Sequence, residues 1–168
     1  VTYEQAMTMA VNYKSKVNYD PASANLNYTY NDGSGIKHEV YFTDAATYFN
    51  LIRKADDWDI AGIALWRLGS EDKRLWSFIS NDLSLDTLKK KPFDLRKIAS
   101  LNMGGISYLG DGEILDLIST PKPGSVKFTL NKENFSIADQ KYTRLPEQYV
   151  IKRFGEADKK IALTFDDG

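Results

Sequence analysis

The sequence predicts an α+β fold on three observations. Two segments of helical apolar periodicity flank a pair of alternating segments near the start of the chain. A continuous apolar run, Ile60-Ala61-Gly62-Ile63-Ala64-Leu65-Trp66, follows them. Beyond Gly112 the texture is that of short strands separated by turns.

The elements follow in order. Thr2 and Gln5 are spaced as a capping box, and Ala6, Met9, Ala10 and Tyr13 recur at helical spacing, which predicts a helix over 3–16. Asn25 to Tyr30 alternates as a strand does, and Lys37 to Thr43 alternates again with Val40 and Phe42 on one face. Between them, Asn31-Asp32-Gly33-Ser34-Gly35 carries turn chemistry, so the two strands form a hairpin. Asp44 opens a second helix whose apolar stripe is Ala45, Phe49, Ile52 and Ala55. The run Ile60 to Trp66 does not alternate, which is the pattern of a strand buried on both faces. Ser70 is expected to cap a third helix carrying Leu75, Trp76, Phe78 and Ile79. Asp82 to Asp94 is charged and contains Pro92, and reads as a linker with short helical pieces. Asp94 is expected to cap a short helix ending before Gly104-Gly105. Strands are predicted at Glu113–Ser119 and Ser125–Leu130, around the turn Pro121-Lys122-Pro123-Gly124. Two more are predicted at Gln148–Arg153 and Lys160–Phe165.

Composition narrows the function classes. The 168 residues are 42% hydrophobic and 27% charged with a net charge of -1, the balance of a soluble globular chain of one domain or two small ones. No basic face stands out, and Lys89-Lys90-Lys91 reads as a solvated linker, so nucleic acid is not an expected partner. No segment approaches the ~20 apolar residues of a membrane span, so no membrane segment is expected in this chain. The absence of cysteine excludes disulfide staples and thiolate metal sites. The opening Val1-Thr2-Tyr3-Glu4 lacks the charged segment and apolar run of a leader, and both ends are expected to be cut from a longer protein. Ten Tyr offer apolar faces on which a pyranose ring can stack, although Tyr equally suits half-buried strands.

Two motif sets resemble known families. The first comprises Tyr19-Asp20, Leu26-Asn27-Tyr28-Thr29-Tyr30, His38-Glu39-Val40-Tyr41-Phe42-Thr43-Asp44-Ala45 and Gly62-Ile63-Ala64-Leu65-Trp66-Arg67-Leu68-Gly69-Ser70-Glu71-Asp72. In this order they resemble the last third of a glycoside hydrolase family 18 domain, as in chitinases and spore-cortex N-acetylglucosaminidases. That resemblance implies residues 1–80 as the C-terminal fragment of a (β/α)8 barrel with its α+β insertion, followed over 81–160 by a linker and β-rich connector. It also implies Trp66 as the floor of a sugar subsite, at the C-terminal end of a barrel strand where active-site residues belong. The family's catalytic signature Asp-x-x-Asp-x-Asp-x-Glu is absent. Asp56-Asp57-Trp58-Asp59 lacks its spacing and its terminal Glu, and Asp111-Gly112-Glu113 is similar only superficially. Glycoside hydrolysis of this kind needs a protonated acid beside the scissile oxygen, and none is available.

The second set closes the chain. Leu163-Thr164-Phe165-Asp166-Asp167-Gly168, with its lead-in Tyr149-Val150-Ile151-Lys152-Arg153-Phe154-Gly155 and Lys159-Lys160-Ile161-Ala162, resembles the opening motif of the polysaccharide deacetylase (NodB-like) family. The resemblance implies 161–168 as the first strand of such a domain. Asp166 would then be the general base and Asp167 a ligand of a divalent, zinc-like metal in the parent protein. That metal also needs two histidines, and the chain's one histidine, His38, lies far upstream. No cofactor is therefore expected in this chain.

Together the resemblances imply a fragment of a multidomain bacterial enzyme acting at the cell surface or outside the cell on N-acetylglucosamine-containing polysaccharide. The isolated chain is expected to be catalytically silent. A second reading is a carbohydrate-binding or structural adaptor module using Tyr28, Tyr30, Tyr41 and Trp66. The strand Ile60–Trp66 would have unpaired edges, for which the connector or a second copy of the chain, as a homodimer, is the expected cover.

Overall fold

A computed structural model describes residues 1–58 and 60–155. Helix α1 (Tyr3–Asn12) begins on the anticipated capping box: Gln5 N–H donates to the Thr2 hydroxyl and Thr2 N–H to the Gln5 amide. It ends four residues earlier than expected, and Lys14 follows with a positive φ of 51°. Strands β1 (Asn18–Asp20), β2 (Asn25–Asn31) and β3 (Lys37–Phe42) form an antiparallel sheet in that order. The β2–β3 turn is built by Asp32, whose carboxylate accepts from Ser34 and Ile36 N–H at 2.9 Å each, while His38 Nε2 lies 2.9 Å from its other oxygen. These bonds, led by the one to His38, hold the Asp32 carboxyl below its usual range.

The inner face of this sheet, with Leu26, Tyr28, Val40 and Phe42, buries Ala6, Met7 and Ala10 of α1. Leu101, Met103 and Val126 from the second half of the chain complete the same cluster. Burying such an apolar face at roughly 25 cal/mol per Å² is what holds a ten-residue helix that would be marginal alone.

Helix α2 (Ala45–Asp57) starts where Asp44 caps it, the side chain accepting from Thr47 N–H at 3.0 Å. Its stripe Ala45, Ala46, Phe49 and Ile52 packs on a 3-10 helix (Lys73–Ser77), on α3 (Leu85–Lys90) and on α4 (Arg96–Ala99). Phe49, Phe78 and Phe93 meet with ring centroids 5.4 to 5.6 Å apart. The third helix is thus a short 3-10 turn, and its cap is Asp72 in place of Ser70.

Between α2 and that turn the structure corrects the reading. Ile60 to Trp66 forms no strand, and Ile60, Ile63 and Trp66 are exposed. A (β/α)8 barrel fragment requires parallel strands joined by helical crossovers. The described residues instead form three separate three-stranded sheets whose pairs are antiparallel except one. The barrel expectation is therefore overturned, and the architecture is a β-rich α+β fold. The physical reason is that a strand exists only through its neighbours, and none of the described residues pairs with 60–66.

The second sheet has the order β4 (Ser100–Leu101), β7 (Gly124–Leu130), β8 (Ile137–Arg144), with Val126 and Ile137 turned into the two cores. The third has the order β5 (Ile106–Leu109), β9 (Tyr149–Phe154), β6 (Ile114–Ser119), and β5–β9 is the parallel pair. Gly112 allows the β5–β6 turn to pass close over β9: a Cβ there would stand 2.0 Å from the Phe154 carbonyl carbon. The strand expected at Lys160–Phe165 lies outside the described residues.

Candidate functional site

The densest polar chemistry sits where α1, the N-terminus of α2, the 3-10 helix and β8 converge. Capping places Asp44 there, because an N-cap carboxylate must point back over its own helix end. Its Oδ1 accepts from Thr47 N–H and from Gln140 Nε2 at 3.3 Å, and its Oδ2 from the Tyr142 hydroxyl at 3.0 Å. Asp72 does double duty, accepting from Ala45 N–H at 2.9 Å and from Arg74 N–H at 3.1 Å. Both carboxylates are buried.

Arg74 supplies the compensating charge. Its Nε donates to Asp72 at 3.0 Å, its Nη1 to the Ile98 carbonyl, and its Nη2 to the Tyr3 hydroxyl at 3.1 Å. Nη2 also lies 3.8 Å from Asp44 Oδ2. Burial pushes the Asp44 carboxyl above its usual value, with Arg74 opposing the shift. Burial likewise raises the hydroxyls of Tyr142 and Tyr3. Among the described residues the buried Gln140 Oε1 has no hydrogen-bond partner.

Above this network lies a cleft of about 320 Å³ bounded by Tyr3, Glu71, Asp72, Arg74, Leu101 and Met103. Its size is at the lower end for a small-molecule site. The chemistry points elsewhere. Arg74 spends most of its donors inside the protein, and Asp44 and Asp72 are saturated by backbone and side-chain donors. Glu71 accepts from Gly69 N–H and Trp76 Nε1. No nucleophile faces a free base, so the cluster acts as a clasp joining four elements.

The residues expected to bind sugar are not gathered by the fold. Tyr28 is 1% exposed, and its hydroxyl donates to the Ala6 carbonyl at 2.7 Å. Tyr30 is on the same face of β2, stacked between Tyr13 and His38 at centroid distances of 4.1 and 4.8 Å. Tyr41 pairs with Asn27 across the ladder and so lies on the opposite face, 61% exposed. Trp66 stands alone at 94% exposure in the irregular 60–68 segment. Asp166 and Asp167 lie outside the described residues. Among the described residues no group of three or more His, Asp or Glu is placed to hold a metal, and His38 is engaged by Asp32 in the hairpin turn. The donor set of a catalytic metal is therefore not assembled by the residues described.

Sequence reasoning found Asp44 as a cap but missed Asp72, Arg74, Gln140 and Tyr142. Gln140 and Tyr142 meet Asp44 across 96 and 98 positions and Asp72 meets Ala45 across 27, so no local pattern marks these contacts.

No family model and no solved structure matches the chain. A stretch of 88 residues, 51% of this chain, is 28% identical to the cortical fragment-lytic enzyme of Bacillus subtilis (strain 168), of which it covers 20%. The proteins of the same name from Bacillus anthracis and Bacillus cereus are each 26% identical over 83 residues, 48% of this chain and 19% of theirs. The chain thus spans only about a fifth of the length of these relatives, and it is similar over half its own length to part of a bacterial lytic enzyme.

Proposed function

We propose that the chain is part of a multidomain bacterial carbohydrate-active enzyme of the cell wall, working outside the cell or at its surface on N-acetylglucosamine-containing polysaccharide. The similarity to the cortical fragment-lytic enzymes carries this reading. The motifs that resemble glycoside hydrolase family 18 and the closing Asp166-Asp167-Gly168 support it from the sequence. Within the parent, this chain contributes a folded junction, and its reactive groups come from other parts of the polypeptide. A divalent metal in the parent would activate water, with Asp167 among its ligands and Asp166 taking the proton.

The expected result is that the 168-residue chain shows no hydrolysis or deacetylation of chitooligosaccharides, with or without added Zn²⁺. Turnover above the blank that disappears in Asp166→Ala overturns the claim that the chain is silent.

The exposed indole of Trp66 favours a second reading, a carbohydrate-binding module, because a free aromatic face can stack on a pyranose. Titration with N-acetylglucosamine oligomers decides it through tryptophan fluorescence. Saturable quenching that is lost in Trp66→Ala supports the module, and a flat response leaves the junction reading standing.

A further inference from the structure

The sequence divides the chain at about residue 80, yet both cores cross that division. The core under the β1–β2–β3 sheet joins Tyr28 and Phe42 to Leu101, Met103 and Val126. The core under α2 joins Phe49 and Phe78 to Leu83, Leu88 and Ile137. Helix α2 and its cap also spend polar side chains across the division. Asp44 accepts from Gln140 and Tyr142. The Asn50 amide donates to the Ile137 carbonyl at 2.8 Å and accepts from Ile137 N–H at 2.7 Å, so one side chain satisfies both backbone groups of a β8 residue, as a neighbouring strand would. Arg53 Nε donates to the Asn134 carbonyl at 2.7 Å in the β7–β8 turn. Asp56 accepts from Leu83 N–H at 2.7 Å and Asp57 from Leu85 N–H at 3.1 Å.

We propose that residues 81–155 are the obligate folding partner of residues 1–80: the stretch that reads as a connector completes the cores of the stretch before it, and neither holds its fold alone. A piece of about 80 residues is marginal even with a core of its own. Here that core is shared. Without the second stretch, Tyr28, Phe42, Phe49 and Phe78 lose apolar neighbours and face water, and the five-residue 3-10 helix loses α4, on which it packs. Without the first, Gln140 and Tyr142 lose the carboxylate that turns them inward, and Ile137 loses its side-chain partner for both backbone groups. The interface rests on packing and hydrogen bonds alone, so it holds whichever glycan the parent acts on. In the parent polypeptide, a cut or an exchange of sequence at residue 80 then unfolds what lies on both sides of it.

The full chain tests this directly. All three tryptophans lie within residues 1–80, so tryptophan fluorescence reports that stretch alone, while hydrogen exchange of β7 and β8 reports the other. In urea both signals should be lost at one midpoint. Two separated transitions overturn the proposal in favour of independent domains. A specific protease site inserted between Ser80 and Asn81, both exposed, gives the second measurement. After cleavage of the folded chain the two pieces should migrate together at the mass of the whole, with unchanged circular dichroism and a urea midpoint that now rises with protein concentration. Asn50→Ala should weaken their association about tenfold, through the two bonds to Ile137, whereas Tyr41→Ala, on the exposed face of β3, should not change it. Pieces that separate and both lose structure show the same mutual dependence. Pieces that separate while either keeps its circular dichroism and exchange protection overturn the proposal, as does an association that Asn50→Ala leaves unchanged.

Discussion

Replacing Arg74 by Met will destabilise the fold by about 3–5 kcal/mol, because it removes the cation beside two buried carboxylates. The loss exceeds that of an exposed ion pair, worth about 0–1 kcal/mol, since the side chains of Asp44 and Asp72 are 0% and 2% exposed. It is also more than a lost charge. The Ile98 carbonyl and the Tyr3 hydroxyl lose the donor that Arg74 gives them. Lys at this position rescues only part of the loss, because a compact ammonium cannot span the Asp72 carboxylate, the Ile98 carbonyl and Tyr3 as the planar guanidinium does. The penalty depends on pH with a definite sign. Burial raises the folded-state pKa of Asp44 above its unfolded value of about 3.9. Its contribution to stability is therefore complete below that value and is lost as pH rises through the folded pKa. Removing Arg74 removes the factor that opposes the rise, so the carboxyl of the variant takes up a proton at higher pH than that of the wild type. A protonated Asp44 can then donate to Gln140, whose Oε1 has no partner among the described residues, once the amide turns over. Urea midpoints measured near pH 7.5 and near pH 5 should show the penalty shrinking on acidification. A penalty below about 1 kcal/mol, or one equal at both pH values, removes the clasp from the account of stability.

Legibility in the sequence followed the range of the interactions. Of the elements from α1 to α2, the two helices and the β2–β3 hairpin could be read because each is announced by its own neighbours, Thr2 with Gln5, Asp32 through Gly35, and Asp44 with Thr47, whereas the three-residue β1 was not. The continuous apolar run at Ile60–Trp66 misled because continuity reports what a segment needs rather than what it has. A strand buried on both faces requires partners, and the described residues provide none. Strand β8 escaped notice for the converse reason. Two of its inward positions are Gln140 and Tyr142, which break the apolar alternation and face inward because Asp44 accepts from both. The candidate site was legible only as one helix cap. Asp72 and Arg74 look like solvated charges in the sequence, and their burial arises from packing of the 3-10 helix on α2 and α4. The sugar-binding reading treated Tyr28, Tyr30 and Tyr41 as one surface, whereas strand period places Tyr41 opposite the other two once the register is known.

Phe49→Ala will cost about 3–5 kcal/mol, comparable to the loss at Arg74 but through packing alone. Phe49 is 1% exposed and meets Phe78 edge-on at 5.6 Å and Phe93 at 5.4 Å. It projects from α2 onto both the 3-10 helix side and the segment between α3 and α4, so truncation opens a cavity that none of three separate pieces can close alone. The two pieces opposite it are short and depend on the core for their existence. The 3-10 helix has five residues and α3 has six, lengths at which helix formation in isolation fails. Leu at position 49 should cost less, because most of the volume remains and only the aromatic contacts, worth about 0.5–1.5 kcal/mol per pair, are lost. The clasp and the aromatic cluster share α2, yet they hold it at different points: Asp44 and Asp72 at its first turn, Phe49 one turn further along. Hydrogen exchange separates the two effects. In Phe49→Ala, amides of the 3-10 helix and α3 should lose protection first, while α1 and the β2–β3 hairpin, which pack in the other core, keep theirs until global unfolding. Uniform loss of protection across both cores shows instead that the chain unfolds as one unit and that Phe49 acts on all of it.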